Sequence, residues 1–234
     1  MDILKNTIAM MALSFAVCGV ADAATLIDGT TKGLYNEGIG TRLNGTNPIT
    51  NADGEDGLLF GFSPESGFRA DVPSDYNIDL SAAAAQLGDW LSDPTNPGGT
   101  WSAGFVDIPT TWARHTETAI IYAFDAGVTG LSNVIASFGV DNGLYAWLNG
   151  VFIGGGVAPG GTGRGDELVL NLGDLDAGWN YLQIMRTDHG GSTGYKVSVT
   201  GDFVEPAPVP LPASGLLLLA GAAALGTMRR RKAI

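Results

Sequence analysis

The stretch "NADGEDG", Asn51 to Gly57, sets Asn51, Asp53, Glu55 and Asp56 on a glycine-rich loop. Hard oxygen donors at near-alternate positions suit Ca²⁺. It is not an EF-hand, because Gly57 stands at its seventh place and Phe62 at its twelfth. A solvated acidic loop would share this composition. Catalysis has less to draw on. The chain has two histidines, His115 and His189, so a Ser–His–Asp triad would have to use one of them. The G-x-S-x-G run at Gly190–Gly194 leads into a strand pattern rather than the helix that a nucleophile elbow requires. Glu117, Asp141, Glu167 and Asp188 offer carboxylate pairs for glycoside hydrolysis, but any acidic chain does so. Sugar binding needs an exposed ring against the apolar face of a pyranose and polar neighbours for the hydroxyls. Trp101 in "GGTWSAG" and Trp112 in "TTWARH" are candidate platforms, with Arg114, His115, Asn142, Asp188 and His189 as their polar company. Each such tryptophan is more often a packing residue than a platform. Trp90, Trp147 and Trp179 complete the set of five.

Charge narrows the partners. The chain holds 24 acids against 12 bases, and four of the bases, Arg229, Arg230, Arg231 and Lys232, crowd its end. Between Ala24 and Glu205 there are 22 acids and 7 bases, a net charge of −15. Such a body is not built to grip a nucleic-acid backbone. Cations or neutral ligands such as glycans fit it better. The single cysteine, Cys18, excludes an intramolecular disulfide. Val17 before it is a poor lipobox residue.

Both ends read as processing segments. Lys5 precedes an uncharged, mostly apolar run from Thr7 to Val20, and Ala21 and Ala23 supply small residues at −3 and −1. This is the pattern of a secretory signal peptide, residues 1–23, cut after Ala23. At the other end, Leu211 to Met228 is free of charge. As a helix its 18 residues would span roughly 27 Å, against a hydrocarbon core of about 30 Å. Pro210 and Pro212 fit only the first turn of such a helix. The basic cluster would stay cytoplasmic. "EPAPVPLPAS" would be a stiff extended spacer just outside the membrane. The expected organisation is therefore signal peptide 1–23, globular body 24–204, spacer 205–212 and transmembrane tail 213–234.

The proline motif Val209, Pro210, Leu211, Pro212 and Ala213, the short Leu/Ala/Gly run and the terminal arginines together resemble the PEP-CTERM class of sorting signals in its VPLPA-CTERM form. The resemblance covers about the last 26 residues. It implies Sec export in a Gram-negative bacterium and recognition by an exosortase-type membrane peptidase. Release, or transfer to the cell surface or extracellular matrix, would follow.

The body reads as strands and glycine turns. Segments 118–124, 134–140, 144–148, 151–154, 167–172, 180–186 and 195–201 carry short apolar or alternating patterns. Asn149-Gly150 is a strong hairpin signal. Leu168, Leu170 and Leu172 share one face, as do Leu182 and Ile184, with Tyr181 and Gln183 opposite. Tyr195, Val197 and Val199 face inward in "YKVSVTG". Trp147 lies opposite Leu144, Ala146 and Leu148. Period two puts one face in a core and the other in water. Seven such strands predict an all-β, antiparallel β-sandwich. Asp79–Leu91 is the one helix candidate, with Leu80, Ala84, Leu87 and Leu91 at helical spacing, Ser81 as cap and Asp93-Pro94 as stop. It is expected to plug one end of the sandwich. Further strands are expected near Leu26, Leu34 and 58–62.

"SFGVDNGLYAWLNGVFIGGG" and "LGDLDAGWNYLQIMRTDHGGSTGYKVSVTG" resemble the galactose-binding-like jelly roll, over roughly Thr118–Gly201. That likeness implies a carbohydrate-binding or accessory module, which often carries structural calcium. The whole body also resembles uncharacterised secreted proteins with PEP-CTERM tails. The combined expectation is a secreted, non-catalytic surface or matrix protein that binds polysaccharide. A structural matrix component without a specific ligand and a glycan-active hydrolase are the alternatives.

Overall fold

The strands of the body divide between two antiparallel sheets in a computed structural model that describes residues 23–39, 70–72, 74–75, 78, 80–114, 116–141, 143–157, 164–188 and 192–206. One sheet joins β1 (Ala24–Ile27), β10 (Gly194–Phe203), β5 (Leu131–Asp141) and β8 (Leu168–Leu175), in that order. The other runs β2 (Leu34–Asn36), β4 (Glu117–Asp125), β9 (Trp179–Thr187), β6 (Gly143–Leu148), β7 (Val151–Val157) and β3 (Ala70–Val72). From β4 onward these are the seven strands the sequence pattern predicts. Two more confirm the expectations near Leu26 and Leu34. The expected strand at 58–62, the signal peptide, the acidic loop at Asn51–Asp56, the sorting motif and the tail lie outside the described residues. Among the described residues no helix is long and apolar enough to cross a membrane.

The core between the sheets follows the period-two reading. Phe138, Val140, Tyr195, Val197 and Val199 from one sheet meet Ile120, Tyr122, Phe124, Leu144, Leu182 and Ile184 from the other. In the four-stranded sheet Lys196 is exposed while its neighbours Tyr195 and Val197 are buried, as a half-buried strand requires. The six-stranded sheet departs from that rule. β4, β6 and β9 are buried on nearly every residue, so both of their faces are covered.

The second cover is the segment expected to be a helix. It forms a 3-10 turn at Ser81–Ala83 and a single α-helical turn, α1, at Ala84–Leu87. It lies against the outer face of the six-stranded sheet rather than plugging an end. Ala83, Leu87 and Trp90 pack there with Ala119, Ile121, Tyr145, Trp147 and Met185. Fully burying an aliphatic side chain of this size stabilises by about 1.5–3 kcal/mol, which outweighs the loss of regular helix. Ser81 makes no cap, because the turn starts at Leu80. The helix stops at Gly88, not at Asp93-Pro94. Gly88 has φ +58°, and a Cβ there would stand 2.1 Å from the Pro97 carbonyl oxygen.

The β6–β7 hairpin turns on Asn149 (φ 50°) and Gly150 (φ 80°), the two positive angles of a type I′ turn. Side chains pin it to its neighbours. Asn149 Nδ2 donates to Asn180 Oδ1 at 2.8 Å, and the Tyr181 amide donates to Asn149 Oδ1 at 2.8 Å.

Candidate functional site

The residues proposed from sequence separate into two places. Trp101 belongs to the outer cover. Its ring stacks on Trp90 at 5.9 Å between centroids, and its Nε1–H donates to the Leu87 carbonyl at 3.0 Å. Trp90 in turn meets Trp147 edge-on at 5.2 Å. The aromatic sheet surface around Trp147 is thus a second core, roofed by residues 80–101.

Trp112 and Asp188 lie together at one end of the sandwich. The Asp188 amide donates to the Thr116 carbonyl at 3.2 Å. The Trp112 amide donates to Thr193 Oγ1 at 3.0 Å, and that hydroxyl donates back to the Trp112 carbonyl at 2.9 Å. Arg114 is exposed on the same loop, and Asp188 is buried. His115, Asn142 and His189 lie outside the described residues. Of the carboxylates considered for hydrolysis, Glu117, Asp141 and Asp188 are buried. Glu167 accepts the Val140 amide at 2.9 Å, so it serves the backbone. Among the described residues no group of three or more metal-ligating side chains could hold a metal ion.

Beneath Trp112 is a feature the sequence did not announce. Arg186 is wholly buried in the inter-sheet layer. Its guanidinium carbon lies 4.2 Å from the Trp112 ring centroid, 4.7 Å from Tyr195 and 5.6 Å from Tyr35. Nε donates to Thr118 Oγ1 at 2.8 Å and Nη1 to the Pro109 carbonyl at 2.7 Å. Burial lowers the Arg186 pKa, and the phenols of Tyr35 and Tyr195 oppose that. One face of the Trp112 indole is therefore already stacked by a cation, and its Nε1–H donates to the Thr116 carbonyl at 3.1 Å. This cage positions the loop; it does not present an open ring.

The cage has a pH consequence. Burial raises the Tyr122 phenol from 10.0 to about 12, and Tyr195 is raised by burial as well. Unfolded tyrosines release their protons near 10, while these keep theirs. Stability is full below that pH and falls between 10 and about 12. For Tyr122 alone the loss is on the order of 2 kcal/mol. Urea unfolding on either side of pH 10 should show the decline, and Tyr122→Phe should flatten it.

An open aromatic groove lies elsewhere, on the outer face of the six-stranded sheet beside the covered region. Its space is about 570 Å³, within the usual range for ligand sites. Leu34, Ala123, Tyr181 and Trp179 form its strand side, and Pro94-Thr95 and Ala103–Phe105 its loop side. Trp179 is 65% exposed and Phe105 52%. Tyr181 and Trp179 are two apart on β9, so both rings rise from one face. Across the ladder Tyr181 faces Ala123, whose small side chain leaves the floor low.

Trp179 had no role in the sequence reading, although its spacing from Tyr181 was legible. Phe105 carries no local signal, since it reaches the groove through a long-range bridge. The chain matches no protein-family model and no curated protein.

Proposed function

We propose that the chain is an exported, non-catalytic surface or extracellular-matrix protein whose β-sandwich binds polysaccharide. The observation that carries this is Trp179, a largely exposed indole beside an open groove on a sheet face. Stacking on a pyranose requires such an exposed ring beside a groove. The fold is read as a jelly roll of galactose-binding-like type. In support, the chain passes between the two sheets at nearly every step from β4 to β10. Sec export with cleavage after Ala23 would leave β1, which begins at Ala24, intact. The segment from Val209 to Ala213 with its basic tail then serves as a VPLPA-type signal for an exosortase-type peptidase. A structural Ca²⁺ on Asn51, Asp53, Glu55 and Asp56 belongs to the same reading.

Retention of the exported protein on insoluble polysaccharides, with and without Ca²⁺, tests the binding half. Saturable retention on at least one polymer is expected. Retention on none, acidic or neutral, overturns it. Cell fractionation tests the sorting half, and an intact chain in the cytosol with both ends would refute it.

A further inference from the structure

The polysaccharide-binding reading leaves open where the polymer sits and which kind it is. We infer that the groove between Trp179 and Phe105 is the glycan site and that it takes an uncharged polysaccharide chain without the help of a metal ion. The inference rests on the binding reading above and on four features of the groove.

First, its rings are arranged for stacking. Trp179 and Phe105 are the exposed aromatics, and Tyr181 lies half-buried between them and the floor. Second, polar groups stand beside the rings. Lys32, Thr95 and Tyr181 line the same space and carry groups of the kind that bond a sugar's hydroxyls.

Third, both walls are pre-set. Backbone hydrogen bonds between Gly33 and Val106 (3.0 and 2.8 Å) hold the Phe105 loop to the start of β2. The Tyr35 amide donates to Ser102 Oγ at 3.0 Å, and the Ser102 amide donates to the Tyr35 carbonyl at 2.8 Å. On the other wall, Thr95 Oγ1 donates to Asp93 Oδ1 at 2.7 Å. A ligand therefore meets loops that need little ordering, which removes part of the entropic cost of binding.

Fourth, the charge points to a neutral ligand. Lys32 is the one cation lining the groove among the described residues, and it already faces Asp107 at 3.7 Å. The surrounding body carries a net −15, which repels a polyanion. No carboxylate is among the described lining residues; the nearby Asp93 and Asp107 are engaged by Thr95 and Lys32.

Affinity electrophoresis of the full chain tests this. The gels contain hydroxyethyl cellulose, galactomannan or xylan as neutral polymers, and alginate as the anionic one, each with and without EDTA. Retardation by at least one neutral polymer, unaffected by EDTA and absent with alginate, is expected. Trp179→Ala should weaken it on the order of tenfold, and Phe105→Ala should weaken it in the same direction. Both side chains are more than half exposed, so the variants should fold; near-UV dichroism checks this. Equal retardation of wild type and both variants overturns the groove as the site while leaving polysaccharide binding intact. Retardation by alginate alone, or abolished by EDTA, overturns the ligand class. No retardation of the wild type by any polymer brings down both the inference and the reading beneath it. A dimer that Trp179→Ala converts to monomer would instead assign the groove to a second copy of the chain, and would also overturn the proposal.

Discussion

Replacing Arg186 by alanine should destabilise the sandwich by about 3 kcal/mol or more. The guanidinium has no exposed surface and is held by two good hydrogen bonds and three ring faces. Burying such a charge costs several kcal/mol. Each hydrogen bond from it returns about 1.5–3 kcal/mol, and a desolvated ring face about 2 kcal/mol at best. The charge itself therefore comes close to balance. What alanine loses is the space-filling and the donors. It leaves a void lined by Trp112, Tyr195 and Tyr35, with the Pro109 carbonyl and Thr118 hydroxyl deprived of their partner. Arg186→Met tests this division. It fills most of the void and removes the desolvation cost, so it should lose only about 1–2 kcal/mol. Urea midpoints for the two variants decide the matter. If methionine is as damaging as alanine, the charge itself matters and the balance drawn here is wrong.

Gln183→Leu should lose about 2–4 kcal/mol, one buried orphan group at each end of the missing amide. Gln183 is fully buried on the face of β9 that the 80–101 segment covers. Its Nε2 donates to the Trp90 carbonyl at 2.8 Å, and its Oε1 accepts the Gly150 amide at 2.8 Å. One side chain thus ties the cover to the β6–β7 hairpin. Leucine matches its volume roughly but leaves a carbonyl and an amide unpaired in the interior. The cover should loosen before the sandwich does. Tryptophan emission would report this, because Trp90, Trp101 and Trp147 are all shielded by that segment. A red shift at denaturant concentrations below the main unfolding step is expected. A single coincident transition would show that cover and sandwich unfold together.

How far the pattern of residues carried depended on which face of which sheet was in question. Alternation in 195–201 and 167–172 identified the inward side chains of the four-stranded sheet, whose other face meets water. In β6 and β9 the same reasoning set one face outside the core, and that face proved to be roofed. Tyr145, Trp147, Gln183 and Met185 look like the outer residues of a half-buried strand, yet all are buried. The roof comes from 80–101, a segment whose helical spacing held for only one turn.

The candidate site divides in the same way. Trp101 and Trp112 stood out by type and by loop position, yet their rings are engaged with Trp90 and Arg186. Trp179 was visible as a residue, and its shared face with Tyr181 followed from spacing alone. Its groove did not, because Phe105 arrives there through pairing of Val106 with Gly33, more than seventy positions earlier. Strand identity, the Asn149-Gly150 hairpin and the antiparallel all-β class were set by local chemistry: branched and aromatic alternation, and an asparagine and glycine that tolerate positive φ. Which sheet face stays open, where a buried arginine finds its rings and which tryptophan remains free were decided only by tertiary packing. Those outcomes depend on segments far apart in the chain competing for the same apolar surface, and no local window contains both competitors.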